Sequence, residues 1–161
     1  MHGDMLAAIR ESVHDIAITM LAIDIVPQEN EAQDFESSYE PENSDISAMV
    51  FLSGGIEGGI RLASTTSAAL ELAGAFFGEP FESLEGDAGD AFSELANMVA
   101  GGVQTQLDAI AGDEINLTPP ELFVGDQEVP KPEDENVIYE SVRQRFEVAE
   151  KDFFVEAYFT L

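Results

Sequence analysis

The segment GDAGDAFSELANMVAGG, residues 86–102, holds the side chains best suited to chemistry. At about 100° per residue, Asp90, Glu94, Asn97 and Gly101 fall in one narrow stripe of a helix. Phe92, Leu95, Val99, Gly102 and Val103 fall on the other side. Such a helix buries one face and presents two carboxylates and a carboxamide on the opposite one. Asn is a poor residue for a helix interior because it competes with the backbone, so its place here carries a cost. Gly101 is expected to clear space beside it that a side chain would crowd. Periodicity alone reads the stripe as the wet face of an amphipathic helix. A carboxylate metal site from Asp87, Asp90 and Glu94 is also allowed by helical steps; with no His nearby it would take Mg2+ or Ca2+.

Other candidates carry less. Ser93 has no His or Lys placed to activate it as a nucleophile. His2 and His14 are isolated from the stripe and read as surface histidines. Gly54-Gly55 and Gly58-Gly59 could suggest a phosphate loop, but no GK[ST] follows and the next element is a strand, so a hairpin is the better reading. Asn116-Leu117-Thr118 matches a glycosylation sequon, which has no meaning for a cytoplasmic chain.

The elements that must position the stripe follow from hydropathy patterning. Leu6, Ile9, Val13, Ile16, Ala17, Met20 and Leu21 predict an amphipathic helix from about Asp4 to Leu21, with Asp4 as N-cap. Residues 27–45, acidic and two-proline, predict a solvated loop. Ile46–Leu52 and Ile60–Ala63 predict two strands joined by a glycine-rich turn. Ser64 caps a helix over about Thr65–Phe77 closed by Gly78, and a longer helix covers Gly86–Ala111 and ends at Gly112. A short strand follows Pro119-Pro120, and residues 125–136 predict a second acidic loop. Val137–Val148 and Phe153–Leu161 predict two strands around a turn at 149–152. In the second, Val155, Ala157, Phe159 and Leu161 alternate with polar residues, as in a half-buried strand. The expected class is α/β (α+β): an antiparallel-rich sheet with two long helices packed on it and an N-terminal helix, over one domain spanning 1–161.

Composition bounds the partners. The 161 residues carry 33 Asp+Glu against 6 Lys+Arg, a net charge of -27, yet 45% are hydrophobic, enough for a core. That acidity argues against nucleic acid or an anionic membrane as partner. The absence of Cys removes disulfides, zinc clusters and thiol nucleophiles and fits a reducing compartment. No apolar run is long enough to span a membrane and no signal peptide opens the chain, so the expected location is the cytoplasm.

The spacing Asp90-x3-Glu94-x2-Asn97-x22-Pro120 resembles the signature of the CheC/CheX/FliY phosphatases of bacterial chemotaxis: Asp or Ser, then Glu, Asn and Pro. Thr19-Met20-Leu21 with Ile23 and Ile25, Gly59-Ile60-Arg61-Leu62, Phe76-Phe77-Gly78-Glu79 and Leu122-Phe123-Val124-Gly125 also resemble the family. One Glu-x2-Asn stripe is similar to CheX rather than to CheC, which typically carries two. The acidic stretch 27–45 departs from the family pattern.

The resemblance implies hydrolysis of the aspartyl phosphate of a CheY-like response regulator. The partner would bring the phosphoryl group, Mg2+ and a Lys, so the chain needs no cofactor of its own. Asn97 would orient the attacking water and Glu94 would pair with the partner's Lys. An amide suits the water because it donates and accepts without titrating. Asp90 and Pro120 are the other signature positions: Asp90, in the first turns of its helix, reads as structural or as a contact, and Pro120, which fixes the backbone entering the next segment, reads as structural. The resemblance further implies a homodimer, and Phe153–Leu161 would invite pairing with another copy if it lay at a sheet edge. The alternative is a non-catalytic regulator-binding or flagellar-switch module of the same fold. Retention of both Glu94 and Asn97 argues against that alternative, because a pure binder does not need the water-orienting amide.

Overall fold

Seven strands form one antiparallel sheet in the computed structural model, which describes residues 1–36, 39–132 and 137–160. Helix α1 (His2–Ile16) buries Met5, Ile9, Val13 and Ile16 against the sheet, as the spacing predicts. Its N-cap is Met1 rather than Asp4, which lies in the first turn, where a carboxylate faces the free amide ends. The end of the helix also differs. Residues Ala17–Leu21 form a π-turn closed by Ala22 in the left-handed conformation. A π-turn takes an extra residue per turn and slips the phase of the apolar stripe. Leu21 therefore stays buried while Met20 and Ile18 face solvent.

The expected loop at 27–45 is corrected for most of its length. Strand β1 (Ile25–Glu36) pairs antiparallel with β6 (Tyr139–Val148) at one edge of the sheet. Glu31 of this strand serves as a countercharge to a strand more than a hundred residues away: it accepts from Arg143 and Arg145. Pro27 is tolerated because it lies on an edge strand beside a register irregularity. Residues 37–38 of this stretch, like 133–136 of the second acidic loop, lie outside the described residues.

The hairpin of β2 (Ile46–Gly54) and β3 (Glu57–Ser64) is as expected. Helix α2 (Thr66–Phe77) is capped by Thr65, not Ser64: the Thr65 hydroxyl accepts from the Ala68 N–H. Helix α3 (Asp87–Ala111) ends at Gly112 with φ 75°, and β4 (Ile115–Leu117) and β5 (Glu121–Val124) follow. Strand β7 (Lys151–Thr160) returns from β6 through Ala149-Glu150, both at positive φ, the geometry of a two-residue hairpin.

The strand order is β1-β6-β7-β3-β2-β4, with β5 also on β2. This corrects two expectations for β7. It hydrogen-bonds to β6 and β3 and offers no edge for a second copy. It is also covered on both faces. Phe153, Val155, Ala157 and Phe159 join the helix-side core, while Tyr158 packs with Tyr39 and Met49 on the other side and Glu156 is 1% exposed. Leu161, at the end of the expected alternation, lies outside the described residues. No helix among the described residues is long and apolar enough to cross a membrane.

Candidate active site

Helix α3 is clamped on three sides. Phe92, Leu95, Val99 and Val103 enter the core. Toward α1, Ser12 Oγ donates 2.9 Å to the Val99 carbonyl, and a Cβ at Gly102 would come within 2.8 Å of Ser12 Cβ. Toward α2, Ala88 and Ala91 pack with Ala73. Toward β4, Gln104 Nε2 donates 2.6 Å to the Ile115 carbonyl. Small residues on both flanks thus let neighbouring elements approach closely and set the rotation of the helix.

That rotation turns Asp90, Glu94, Asn97 and Gly101 outward. By helix geometry they span an arc of about 60° and a length of about 16 Å. Asp90 and Glu94 are exposed and Asn97 is partly exposed. Among the described residues none of these three side chains has a hydrogen bond or ion pair. Gly101 differs from expectation: a Cβ there would meet nothing within 4 Å, so it relieves no crowding of Asn97 inside the chain. No group of three or more His, Asp or Glu is arranged to hold a metal among the described residues, so Asp87, Asp90 and Glu94 do not form a ligand set.

The chain's cations are spent elsewhere. Arg10 donates to Gln144, Arg61 and Arg143 to Glu156, Arg145 to Glu42 and Glu31, Lys131 to Glu40 and Lys151 to Glu71. The face of α3 carries Asp87, Asp90, Glu94 and Asp108 with no basic residue in the helix.

Pro120 lies away from the stripe in sequence and has no hydrogen bond to it. Thr118 is pinned to β2, its N–H donating 3.0 Å to the Phe51 carbonyl and its hydroxyl accepting 2.9 Å from the Phe51 N–H. Strands β4 and β5 run along the same edge of β2, interrupted by Pro119-Pro120. Without N–H groups the prolines cannot continue the ladder, so Pro120 sets where β5 begins. Ser93 is partly buried with no activating neighbour, His14 is exposed, and His2 sits by Glu140 and the Phe159 ring.

One constellation escapes the sequence reading. On the sheet face away from the helices, Glu156 receives Arg61, Arg143, the Tyr39 hydroxyl at 2.7 Å and the Glu42 N–H at 3.2 Å. Burial, reinforced by Glu156, holds the Tyr39 hydroxyl well above the usual tyrosine range. The hydrogen bond from Arg145 lowers the Glu42 carboxyl. A cleft of about 500 Å3 adjoins this network, but the two cations lining it, Arg61 and Lys131, are already paired. The network fastens segment 39–45 and β1 to the sheet. Its only sequence signal is the presence of Arg61 and Glu156 within apolar strands.

An antiparallel sheet covered by helices on one face, with the stripe of α3 turned to solvent, defines the CheC/CheX-like class. A CheX from Desulfovibrio desulfuricans matches with a TM-score of 0.78 at 20% identity, over 97% of this chain and 99% of that one. A CheC-like superfamily protein from Shewanella sp. PV-4 gives 0.80 at 21%, over 100% of both chains. CheX in a CheX–CheY–BeF3–Mg2+ complex from Borrelia burgdorferi gives 0.74 at 19%, over 97% of both. At these identities the likeness establishes the fold. No curated protein matches the sequence significantly. The sequence model of the chemotaxis phosphatase CheX matches residues 46–140, and the chain belongs to that family.

Proposed function

We propose that this protein hydrolyses the aspartyl phosphate of a CheY-like response regulator, with Asn97 orienting the attacking water and Glu94 pairing with a Lys of the partner. The observation that carries the reading is the unpaired acid-and-amide stripe on α3, held outward by close packing on its other sides. Phosphoryl transfer asks for an in-line water and for stabilised charge, not for covalent work by the phosphatase. A rigid helix supplies position. Glu94 lies one turn from Asn97 on the same stripe, so an ion pair at Glu94 holds the helix in register while the amide enters the partner's site. The partner supplies Mg2+ and the phosphoryl group, and this chain supplies no metal. The Borrelia complex of a CheX with CheY supports a response regulator as partner.

Mixing the protein with phosphorylated regulator and Mg2+ and following phosphate loss tests this. Acceleration over the regulator alone is expected. Tight binding with an unchanged phosphate lifetime would instead mark a non-catalytic adaptor. The dimer expected from the family would use the edge of the sheet at β1. A sedimentation mass near 17.4 kDa would contradict it.

A further inference from the structure

The sheet outruns its helical cover beside the stripe. In β5, Leu122 and Val124 pair with Ala48 and Ile46, core residues of the helix side. Phe123, between them, packs with the cluster on the opposite face. By strand alternation Leu122 and Val124 therefore lie on the face where the helices pack. They are nonetheless 36% and 47% exposed, because β5 is at the sheet margin. Gly89 brings the ledge against α3: a Cβ there would lie 3.4 Å from Leu122 Cδ2 and 2.9 Å from the Leu84 carbonyl oxygen. Gly89 immediately precedes Asp90, so this apolar ledge borders the acid-and-amide stripe.

Resting on the function proposed above, we infer that Leu122 and Val124 form the apolar half of the docking surface for the regulator. Charge complementarity identifies the occupant. The stripe offers acids and an amide, while the chain's own cations are paired elsewhere. The fitting surface is therefore basic, with an apolar side chain beside its charge. The acids steer encounter, and burial of the ledge sets the lifetime of the complex. Leu122 is a positioning residue: it holds α3 against the partner without touching the reacting atoms.

The test uses the full chain with phosphorylated regulator and reads affinity, KM and kcat for wild type, Leu122→Ser and Leu122→Met. Thermal melts establish that each variant is folded. Burying the exposed third of a leucine side chain corresponds to about a tenfold change in affinity. Leu122→Ser should therefore raise Kd and KM about tenfold with kcat within about twofold, and Leu122→Met should recover most of the loss. If wild type binds and accelerates while Leu122→Ser keeps its Kd and KM, the ledge inference is overturned and the catalytic reading stands. If Leu122→Ser instead changes only the sedimentation mass, the ledge belongs to a second copy and the inference is equally overturned. If wild type neither binds nor accelerates, both fall.

Discussion

Replacing Glu156 by Gln removes the one negative charge shared by Arg61 and Arg143 while keeping nearly the same volume. Arg61 is 2% exposed, so water cannot take the place of the lost carboxylate. Its Nε already lacks a partner, which leaves little slack for rearrangement. Breaking a buried ion pair by removing one partner costs about 3–5 kcal/mol. Arg143 is less buried and keeps Glu31, so it adds little to the cost. Tyr39 and Arg61 can still donate to the Gln oxygen, but the Gln NH2 then faces the donors of Arg143 and Glu42, so the loss should sit near 4 kcal/mol, a large part of the roughly 5–15 kcal/mol that stabilises a typical domain. At about 2–4 °C per kcal/mol for a chain of this size, thermal unfolding should fall by about 10 °C. Denaturant unfolding, with m unchanged, checks the free energy directly. A loss below about 1 kcal/mol would refute the reasoning, because it would mean that Arg61 finds solvent or another anion. The double variant Arg61→Met with Glu156→Leu should recover only part of the loss, since it removes the buried Arg61 charge but leaves Arg143, the Tyr39 hydroxyl and the Glu42 N–H without the carboxylate.

Gly101→Ala should stabilise the chain by about 0.5–1 kcal/mol, because the site is an open helix position, as thermal unfolding will show. Gly102→Ala should cost about 1–3 kcal/mol in the same measurement, because its methyl strikes Ser12 between α1 and α3. Glu42, lowered by Arg145, contributes stability that is full above its ordinary value of 4.5 and fades as pH falls through the lower folded value. The stability gap between wild type and Glu42→Gln should therefore shrink on acidification below that point in denaturant titrations. Glu94→Gln should raise KM for the phosphorylated regulator and flatten its dependence on salt, because the ion pair proposed across the interface would be lost.

The helix face was legible because it is local. Phe92, Leu95, Val99 and Val103 recur at helical spacing, and that alone turns Asp90, Glu94 and Asn97 outward. The β2–β3 hairpin and the β6–β7 pair were legible for the same reason. What sequence reading missed depends on distant partners. Residues 27–36 look solvated until Arg143 and Arg145 come alongside Glu31, and no local pattern reports that. Glu156 alternates with apolar neighbours as an exposed residue would, yet the second face of the sheet is closed over it by Tyr39 and segment 39–45. Met20 departs from the apolar periodicity because a π-turn changes the helical period without a sequence mark. The ledge at Leu122 was invisible because exposure of an apolar strand residue depends on where the helical layer stops.

In the proposed function an uncharged amide on α3, Asn97, carries the catalysis. The direct measurement is the phosphate lifetime of the regulator under single-turnover conditions, at saturating wild type and saturating Asn97→Ala. Loss of the water-orienting group should slow hydrolysis by about a hundredfold with affinity little changed. Full activity in Asn97→Ala would contradict the account.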